Sequence, residues 1–470
     1  MNLLARLDRL PLSSPHYLLL LLGGLGYTFD GMDAAVVSFL MPSTQALWHL
    51  TDGQLGMLGS ASAVGYLLAA GFTGVLADRV GRRRVMMYAL VCYAFFSVVA
   101  ALAPDFGTFL GARVLAGAGA GAESVVIAPF LSEFVPPARR GWFVGTLAGF
   151  FSFGFVGAAF LGRFVVVQPD GWRWAQVITA APILLLLWWR RTLPESPRFL
   201  LAAGREAEAE RVVADLERRV EASTGRPLPP VPEQAAVAPA AEQPPLGPGA
   251  ALRHLWSRPM ARRTATTWLI WFVITFAYYG FFSWIPTLLV QQGITVTRSF
   301  SFSIVIYLAQ IPGYFSAAWL CERIDRKNTI AVYLAGSAAA AYWLSQTHTP
   351  TAITLAGAVL SFFLNGTYAG VYSYTPEVFP TFIRATGTGY ASGFGRIGSI
   401  TAPLIIGALA TSLGFAGVFG LTTAVLAAGV VGTLVFALPT ANRSLEALAG
   451  RPPAGADRTD RPTDQGALHP

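Results

Sequence analysis

Charge is what this sequence has least of. Only 12% of its 470 residues are Asp, Glu, Lys or Arg, while 54% are hydrophobic and the mean hydropathy is +0.52. Soluble domains carry about twice that share of charge, so a soluble, disordered or nucleic-acid-binding chain is excluded. Cysteine is equally scarce: Cys92 and Cys321 both lie inside apolar runs, which supports neither a disulfide framework nor a metal site. His16, His49, His254, His348 and His469 fall at run ends, in loops or in the tail, so none is placed as a metal ligand or catalytic base. The glycines of Gly117, Gly119 and Gly121 are not followed by the Gly-Lys-Ser or Gly-Lys-Thr of a phosphate loop, and they read as close helix packing. No nucleophile, base and oxyanion donor can be grouped, so the chain is not expected to be an enzyme, and no cofactor or metal is expected.

What the sequence does have is long apolar runs. A bilayer crossing needs roughly 20 mostly apolar residues, and twelve such runs occur near 16–40, 54–77, 85–103, 107–131, 142–165, 173–191, 263–290, 299–321, 329–346, 351–375, 384–409 and 414–437. The first follows Arg6 and Arg9, is long and contains two acids, so it is not a cleaved signal peptide. The net charge of +8 sits in short clusters after the even-numbered runs: Arg79 and Arg82 to Arg84, then Arg139 and Arg140, Arg190 onward, and Arg323, Arg326 and Lys327. Loops after odd runs hold only Arg163, Arg173 and Arg298. Basic loops stay in the cytoplasm, which predicts cytoplasmic termini and an inner, plasma-membrane location. Between the sixth and seventh runs, Gly204 to Ala222 reads as a charged helix and Arg226 to Gly249 as a Pro- and Ala-rich flexible linker.

The two halves align at a constant offset of 244. Asp78, Arg79, Arg82 and Arg83 match Glu322, Arg323, Arg326 and Lys327; Glu133, Pro136 and Arg140 match Glu377, Pro380 and Arg384; Gly145, Gly149 and Gly154 match Gly389, Gly393 and Gly398. This is a duplicated six-run unit, and parallel repeats place a substrate site at the midplane between them. The expected class is therefore all-α integral membrane, twelve transmembrane helices in two pseudo-symmetric six-helix bundles. Its divisions are a first bundle at 1–193, a cytoplasmic linker at 194–262, a second bundle at 263–440 and a disordered cytoplasmic tail at 441–470.

The repeat sorts the charges. Those with a partner 244 residues away lie at helix ends and read as a cytoplasmic gate: Asp78, Arg79, Glu133, Arg140, Glu322, Arg323, Glu377 and Arg384. Those without one lie inside runs. Asp30, Asp33, Arg113 and Glu123 map onto Ile274, Ala277, Gly357 and Thr367, and Arg396 maps onto Ser152. Ionisable groups at membrane depth are costly and mark function.

These motifs resemble the major facilitator superfamily of transporters. Gly74-Val-Leu-Ala-Asp78-Arg79-Val-Gly81-Arg82-Arg83-Arg84 resembles its loop signature between helices 2 and 3, Arg113-Val-Leu-Ala-Gly117-Ala-Gly119-Ala-Gly121 its fourth-helix signature, and Pro194-Glu195-Ser196-Pro197-Arg198 the sugar-porter motif after helix 6. Phe29-Asp30-Gly31-Met32-Asp33, Tyr278 to Pro286 and Tyr374-Thr375-Pro376-Glu377-Val378-Phe379-Pro380 are similar to the branch of nicotinate transporters, aromatic-acid/proton symporters and synaptic-vesicle-protein relatives. The paired glutamines of sugar porters are missing from the seventh run, with Gln291 and Gln292 in the loop beyond it.

The resemblance places Asp33 as the proton-coupling carboxylate and Arg113 as its partner; an acid that pairs and unpairs with arginine changes its proton affinity in each cycle. A permanent structural pair is the alternative. Asp30, a turn earlier, shares the proton or lines the vestibule; Glu123 is a second proton site or a packing hydrogen bond. Arg396 anchors an organic anion through its planar fork, or else bonds a carbonyl or Glu123. Tyr278, Tyr279 and Trp284 can stack on a planar ring, and Asn365 completes the substrate set. The expected protein imports a small carboxylate, nicotinate- or benzoate-like, with protons by alternating access, driven by a gradient and not by ATP. Alternatives are a sugar/proton symporter, an organic-cation or drug/proton antiporter, and a non-transporting membrane sensor. Expected partners are the small-molecule substrate, protons and the lipid bilayer, with no nucleic acid, and the chain is expected to be a monomer.

Overall fold

In the computed structural model, which describes residues 3–231, 248–380 and 383–440, the described residues form a succession of helices. The first half runs α1 (Leu3–Asp8), α2 (Ser14–Trp48), α3 (Asp52–Val80), α4 (Arg82–Ala101), α5 (Phe106–Ser132), α6 (Pro137–Leu161), α7 (Gly171–Thr179) and α8 (Ile183–Thr192). Then come α9 (Pro197–Ala202), α10 (Glu206–Thr224) and α11 (Pro248–Leu255). The second half runs α12 (Arg258–Gln291), α13 (Val296–Leu308), α14 (Gln310–Ile324), α15 (Arg326–Ser345), α16 (Pro350–Val378) and α17 (Arg384–Phe436). Residues 232–247 of the expected linker and the expected tail, 441–470, lie outside the described residues.

Helix ends follow local chemistry. Thr51 and Gln54 form a reciprocal capping box at α3. The Asp105, Ser196 and Thr349 side chains accept from backbone N–H groups at the starts of α5, α9 and α16. Among the described residues, eight helices are long and apolar enough to cross a membrane. The shortfall from twelve runs has identifiable sources: Asp30 and Asp33 make α2 more polar, the sixth run is split into α7 and α8, α15 is rich in Ala and Ser, and α17 carries two runs across a break at Gly414. The charged helix expected from Gly204 to Ala222 is α10, and Gln291, read as a loop residue, closes α12.

The 244-residue repeat is visible atom by atom. Gly154 of α6 presses on Thr28 O and Met32 N of α2; its equivalent Gly398 presses on Phe272 O and Phe276 N of α12, where an added Cβ would stand 2.7 and 2.9 Å away. Arg82 pairs with Glu133, and their equivalents Arg326 and Glu377 pair at 3.1 Å. The turn between α3 and α4 passes through Gly81 at φ 109°, and the equivalent turn between α14 and α15 through Asp325 at φ 96°. Glycine takes that conformation freely; a residue with a Cβ is strained there. The Asp325 carboxylate accepts from Thr440 N and Oγ1, both at 3.3 Å, which helps hold the turn.

Outside the packed spans, α10 docks on α1. Arg6 bonds Glu210 and Glu217, both at 2.5 Å, and Arg9 reaches Glu217 at 2.7 Å. Burial works to raise the Glu217 carboxyl, but the two guanidiniums outweigh it and hold the group below its ordinary value. The pairs are therefore intact above the ordinary Glu range, near pH ~4.3, and are lost as pH falls through the depressed value. Limited proteolysis of α10 is expected to stay slow from pH 7 to 5 and accelerate toward pH 3; Glu217→Gln should show the fast cleavage at every pH.

The halves meet closely at one end. Gly56 of α3 sits against α17, where a Cβ would lie 2.7 Å from Pro403 O, and Ser60 Oγ donates to Ile400 O at 2.7 Å. Asp52 accepts from Thr411 at 2.8 Å and Gln291 at 3.3 Å. Toward the other end, Gly71 and Gly74 of α3 and Gly389 and Gly393 of α17 face open space. Gly56→Leu is therefore expected to destabilise the protein by about 1–3 kcal/mol through overpacking, whereas Gly389→Ala should be neutral or slightly stabilising. Thermal unfolding in detergent distinguishes the two.

Candidate functional site

Where the halves meet near mid-depth they enclose a cavity of about 130 Å³. One wall comes from α2, α3, α5 and α6, the other from α12, α14, α16 and α17. A buried fork borders the cavity at Asp33: Arg113 Nη1 and Nη2 donate to the two Asp33 oxygens at 2.6 and 2.8 Å. Nη2 also donates to Ser62 Oγ at 2.7 Å and Asp33 O at 3.2 Å, and Nη1 to Gln176 Oε1 at 3.2 Å. Both charged side chains are almost fully buried, 0% and 2% exposed, so only this density of partners makes the pair tolerable.

Asp30 lies on the cavity wall one turn earlier. It accepts from Ser124 Oγ and makes no ion pair among the described residues. Glu123, beside Ser124, is buried with Oε1 unpartnered, close to Gly26. Across the cavity, Arg396 lays its guanidinium 3.8 Å from the Tyr66 ring centre and donates to Tyr279 Oη at 3.3 Å. It too has no carboxylate partner among the described residues. Around it stand Tyr278, Tyr368 and Tyr372, with Tyr278 and Tyr368 edge to face at 5.1 Å. Tyr278 Oη donates to Gln310 Oε1 at 2.8 Å; Asn365 Nδ2 donates to Gln310 O at 2.8 Å and across the cavity to Ser152 Oγ at 3.0 Å.

Residues 23–450 match the family described as Sugar (and other) transporter. The chain belongs to that family. It is a membrane-spanning transporter of a small organic substrate, not an enzyme. It is 38% identical over 406 residues to the niacin transporter NiaP of Acinetobacter baylyi, covering 86% of this chain and 90% of that protein. It is 34% identical to the putative niacin/nicotinamide transporter NiaP of Bacillus subtilis, covering 83% and 88%. The gallate transporter of Pseudomonas putida is 29% identical, covering 86% and 87%. The inward-open structure of the xylose transporter XylE from E. coli superposes with a TM-score of 0.74 over 93% of this chain and 99% of that one; at 17% identity it speaks for the fold alone.

Within this transporter, the cavity gathers Asp30, Asp33, Tyr278, Tyr279, Asn365 and Arg396 from the expected set. Arg113 and Glu123 stand directly behind its wall. Trp284 does not reach it: the indole is buried and Nε1 donates to Pro403 O at 3.2 Å, on the closed side of the interface. The expected substrate role of Trp284 is thereby corrected to packing between α12 and α17. Among the described residues, Arg396 bonds neither a backbone carbonyl nor Glu123 but an aromatic face and a phenol. Sequence reasoning missed Tyr66, Ser62, Ser124, Ser152, Gln176, Gln310, Tyr368 and Tyr372. A signal for several existed in the repeat, since Tyr66 maps onto Gln310 and Ser124 onto Tyr368.

Of the expected gate residues, Glu133 and Glu377 pair with Arg82 and Arg326 of their own halves. Asp78 is exposed and 3.7 Å from Arg82; Arg140 caps carbonyls of Ser132 and Val135 and pairs with Asp8 at 3.0 Å; Arg323 lies over Trp319. Arg79 and Glu322 are exposed, and Arg384 opens α17.

Because the Asp33–Arg113 fork is buried, removing one partner strands the other. Arg113→Gln is expected to cost about 3–5 kcal/mol, and Asp33→Asn/Arg113→Gln together less than Arg113→Gln alone. Thermal unfolding of the three variants in detergent checks the coupling.

Proposed function

We propose that this protein is a proton-coupled secondary transporter that imports a small aromatic carboxylate of the nicotinate type by alternating access. The observation that carries the reading is Arg396, a guanidinium on the wall of an aromatic cavity with no carboxylate of its own among the described residues. Such a group is stabilised when an anionic ligand supplies the missing oxygens, and a planar carboxylate matches its fork. Tyr278, Tyr279, Tyr66, Tyr368 and Tyr372 offer ring faces and edges to a flat substrate, and Asn365 a polar edge. Niacin and gallate, named for three of the relatives, are both aromatic acids.

The proton sites in this proposal are Asp33, paired with Arg113, and Asp30, with Glu123 behind. Asp30 is the carboxyl group that faces the cavity with only a hydroxyl donor, so it can exchange a proton without breaking an ion pair. Asp33 must part from Arg113 to do so, which ties its protonation to movement of α2 against α5. The proposed architecture is twelve spans: the eight apolar helices, α2, α7 with α8, α15, and α17 counted as two across Gly414. Its two bundles are 1–193 and 263–440, joined by 194–262, in an inner, plasma membrane with cytoplasmic termini, acting as a monomer that does not bind nucleic acid. In this orientation the Asp52 end is closed and the cytoplasmic end open. Closing that end would bring together the faces bearing Asp78, Arg79, Glu133, Arg140, Glu322, Arg323, Glu377 and Arg384.

The test is uptake of labelled nicotinate into proteoliposomes with and without an inward proton gradient. Wild type is expected to accumulate label only with the gradient. Arg396→Lys should raise the KM about tenfold or more, because a point charge loses the two-bond geometry. Asp30→Asn and Asp33→Asn should abolish gradient-driven accumulation while retaining exchange of labelled for unlabelled acid. Gradient-independent accumulation by wild type, or an unchanged KM in Arg396→Lys, would sink the reading.

A further inference from the structure

A second cleft, of about 620 Å³, opens at the basic end of the molecule between the start of α2, the end of α8 and the outer helix α10. Its charged lining is strongly one-sided: Arg83, Arg190, Arg191 and Arg219 against one carboxylate, Asp215. That carboxylate is already engaged, by Arg219 at 2.7 Å and Arg218 at 3.1 Å. Arg190 and Arg191 make no ion pair among the described residues, and Arg83, which donates Nη2 to Arg190 O at 2.5 Å, keeps a buried Nε with no partner. The contrast with the neighbouring surface is sharp. Arg6 on α1 and Arg9 just after it are consumed by Glu210 and Glu217, so these two acids of α10 pair outside the cleft and leave Arg190 and Arg191 without a carboxylate.

The cleft also has an apolar wall, made by Leu18, Leu19, Phe134, Leu193 and Leu216. Its depth is set by α8, whose Leu184 and Leu187 are 67% and 64% exposed and whose Trp188 is 42% exposed, directly before Arg190 and Arg191. Exposed leucines, then tryptophan, then arginine is the order met on passing from acyl chains through the interface to headgroups. A free phosphate would have no use for the leucine wall. We infer that this cleft binds an anionic phospholipid, with the phosphate on the Arg83, Arg190 and Arg191 guanidiniums and the acyl chains leaving past Leu18 along the exposed Leu184, Leu187 and Trp188 of α8. Helix α10 forms the outer wall, so a bound headgroup would bridge α10 to the ends of α2 and α8.

Full-length protein purified from mixed nanodiscs of phosphatidylglycerol and phosphatidylcholine, read by native mass spectrometry, tests this. Wild type is expected to retain phosphatidylglycerol over phosphatidylcholine by about tenfold or more, given several arginines at headgroup depth. Arg190→Gln/Arg191→Gln should bring the ratio close to one. Because those residues also help orient α8, Arg219→Gln on the outer helix is the second variant, expected to lower the ratio about threefold. Equal retention of both lipids by wild type, or an unchanged ratio in both variants, overturns the inference. Displacement of retained phosphatidylglycerol by millimolar inorganic phosphate or glycerol phosphate would identify a soluble-anion site and overturn the lipid assignment; insensitivity to both supports it.

Discussion

A guanidinium held inside a membrane-spanning protein needs acceptors for its N–H groups, and Arg113 finds them for Nη1 and Nη2 on three other helices, while its buried Nε has no partner among the described residues. Asp33 of α2, Ser62 of α3 and Gln176 of α7 all accept from it. Each of these contacts fixes an approach of one helix to α5, so the fork organises the first half around its own centre. Glycines make that approach possible: Gly117 and Gly121 of α5 lie against Ser62 and Tyr66 of α3, where a Cβ on either glycine would collide. The acceptor that completes the fork, Asp33, shares a helix face with Asp30. The one charged group thus orders both the bundle and the carboxyl that faces the cavity.

The second half has no such centre. Its counterparts to Asp33 and Arg113 are Ala277 and Gly357, and its single cavity charge, Arg396, is turned toward the lumen and rests on Tyr66 of the first half. Where both halves need the same service, the repeat kept the chemistry: the Arg82–Glu133 and Arg326–Glu377 pairs and the Gly154 and Gly398 crossings are equivalent contacts. Where they face the substrate space, it diverged. Tyr27 against Trp271, Tyr66 against Gln310, Ser124 against Tyr368 and Ser152 against Arg396 are four equivalent positions that now carry different chemistry around one cavity.

That divergence explains what could be read from sequence alone. Charged residues without a repeat partner were conspicuous because charge is rare in this chain, and Asp30, Asp33, Arg113, Glu123 and Arg396 do converge on the cavity. Tyrosines and serines are common, so Tyr66, Ser124 and Tyr372 were hidden among dozens of similar side chains until the wall was assembled. Trp284 was misjudged for a geometric reason. Six residues beyond Tyr278 at about 100° per residue, it points well away from the tyrosine face, toward Pro403. The apolar runs give the helices and the break near Gly414, which separates the last two runs, but the breaks within runs, between α7 and α8 and between α13 and α14, depend on how neighbours pack and leave little trace in hydropathy.

The two ends of the interface differ in kind, and this bears on how the proposed cycle could run. At the Asp52 end the halves touch through backbone, with Gly56 and Gly407 allowing α3 and α17 to approach and Ser60 and Thr411 adding hydrogen bonds. At the other end the Arg82–Glu133 and Arg326–Glu377 pairs join residues of the same half, and the glycine faces of α3 and α17 lie open. Partly wet ion pairs are worth about 1 kcal/mol or less each, so exchanging partners between halves would cost little. Glycine-mediated packing is steeper with distance, because a small separation forfeits many contacts at once. A transporter built this way would have its equilibrium set mainly by which glycine face is in contact. The charged network would then serve to keep the open end soluble and aligned, while the fork at Arg113, lying between the two ends, is where protonation could tip the balance.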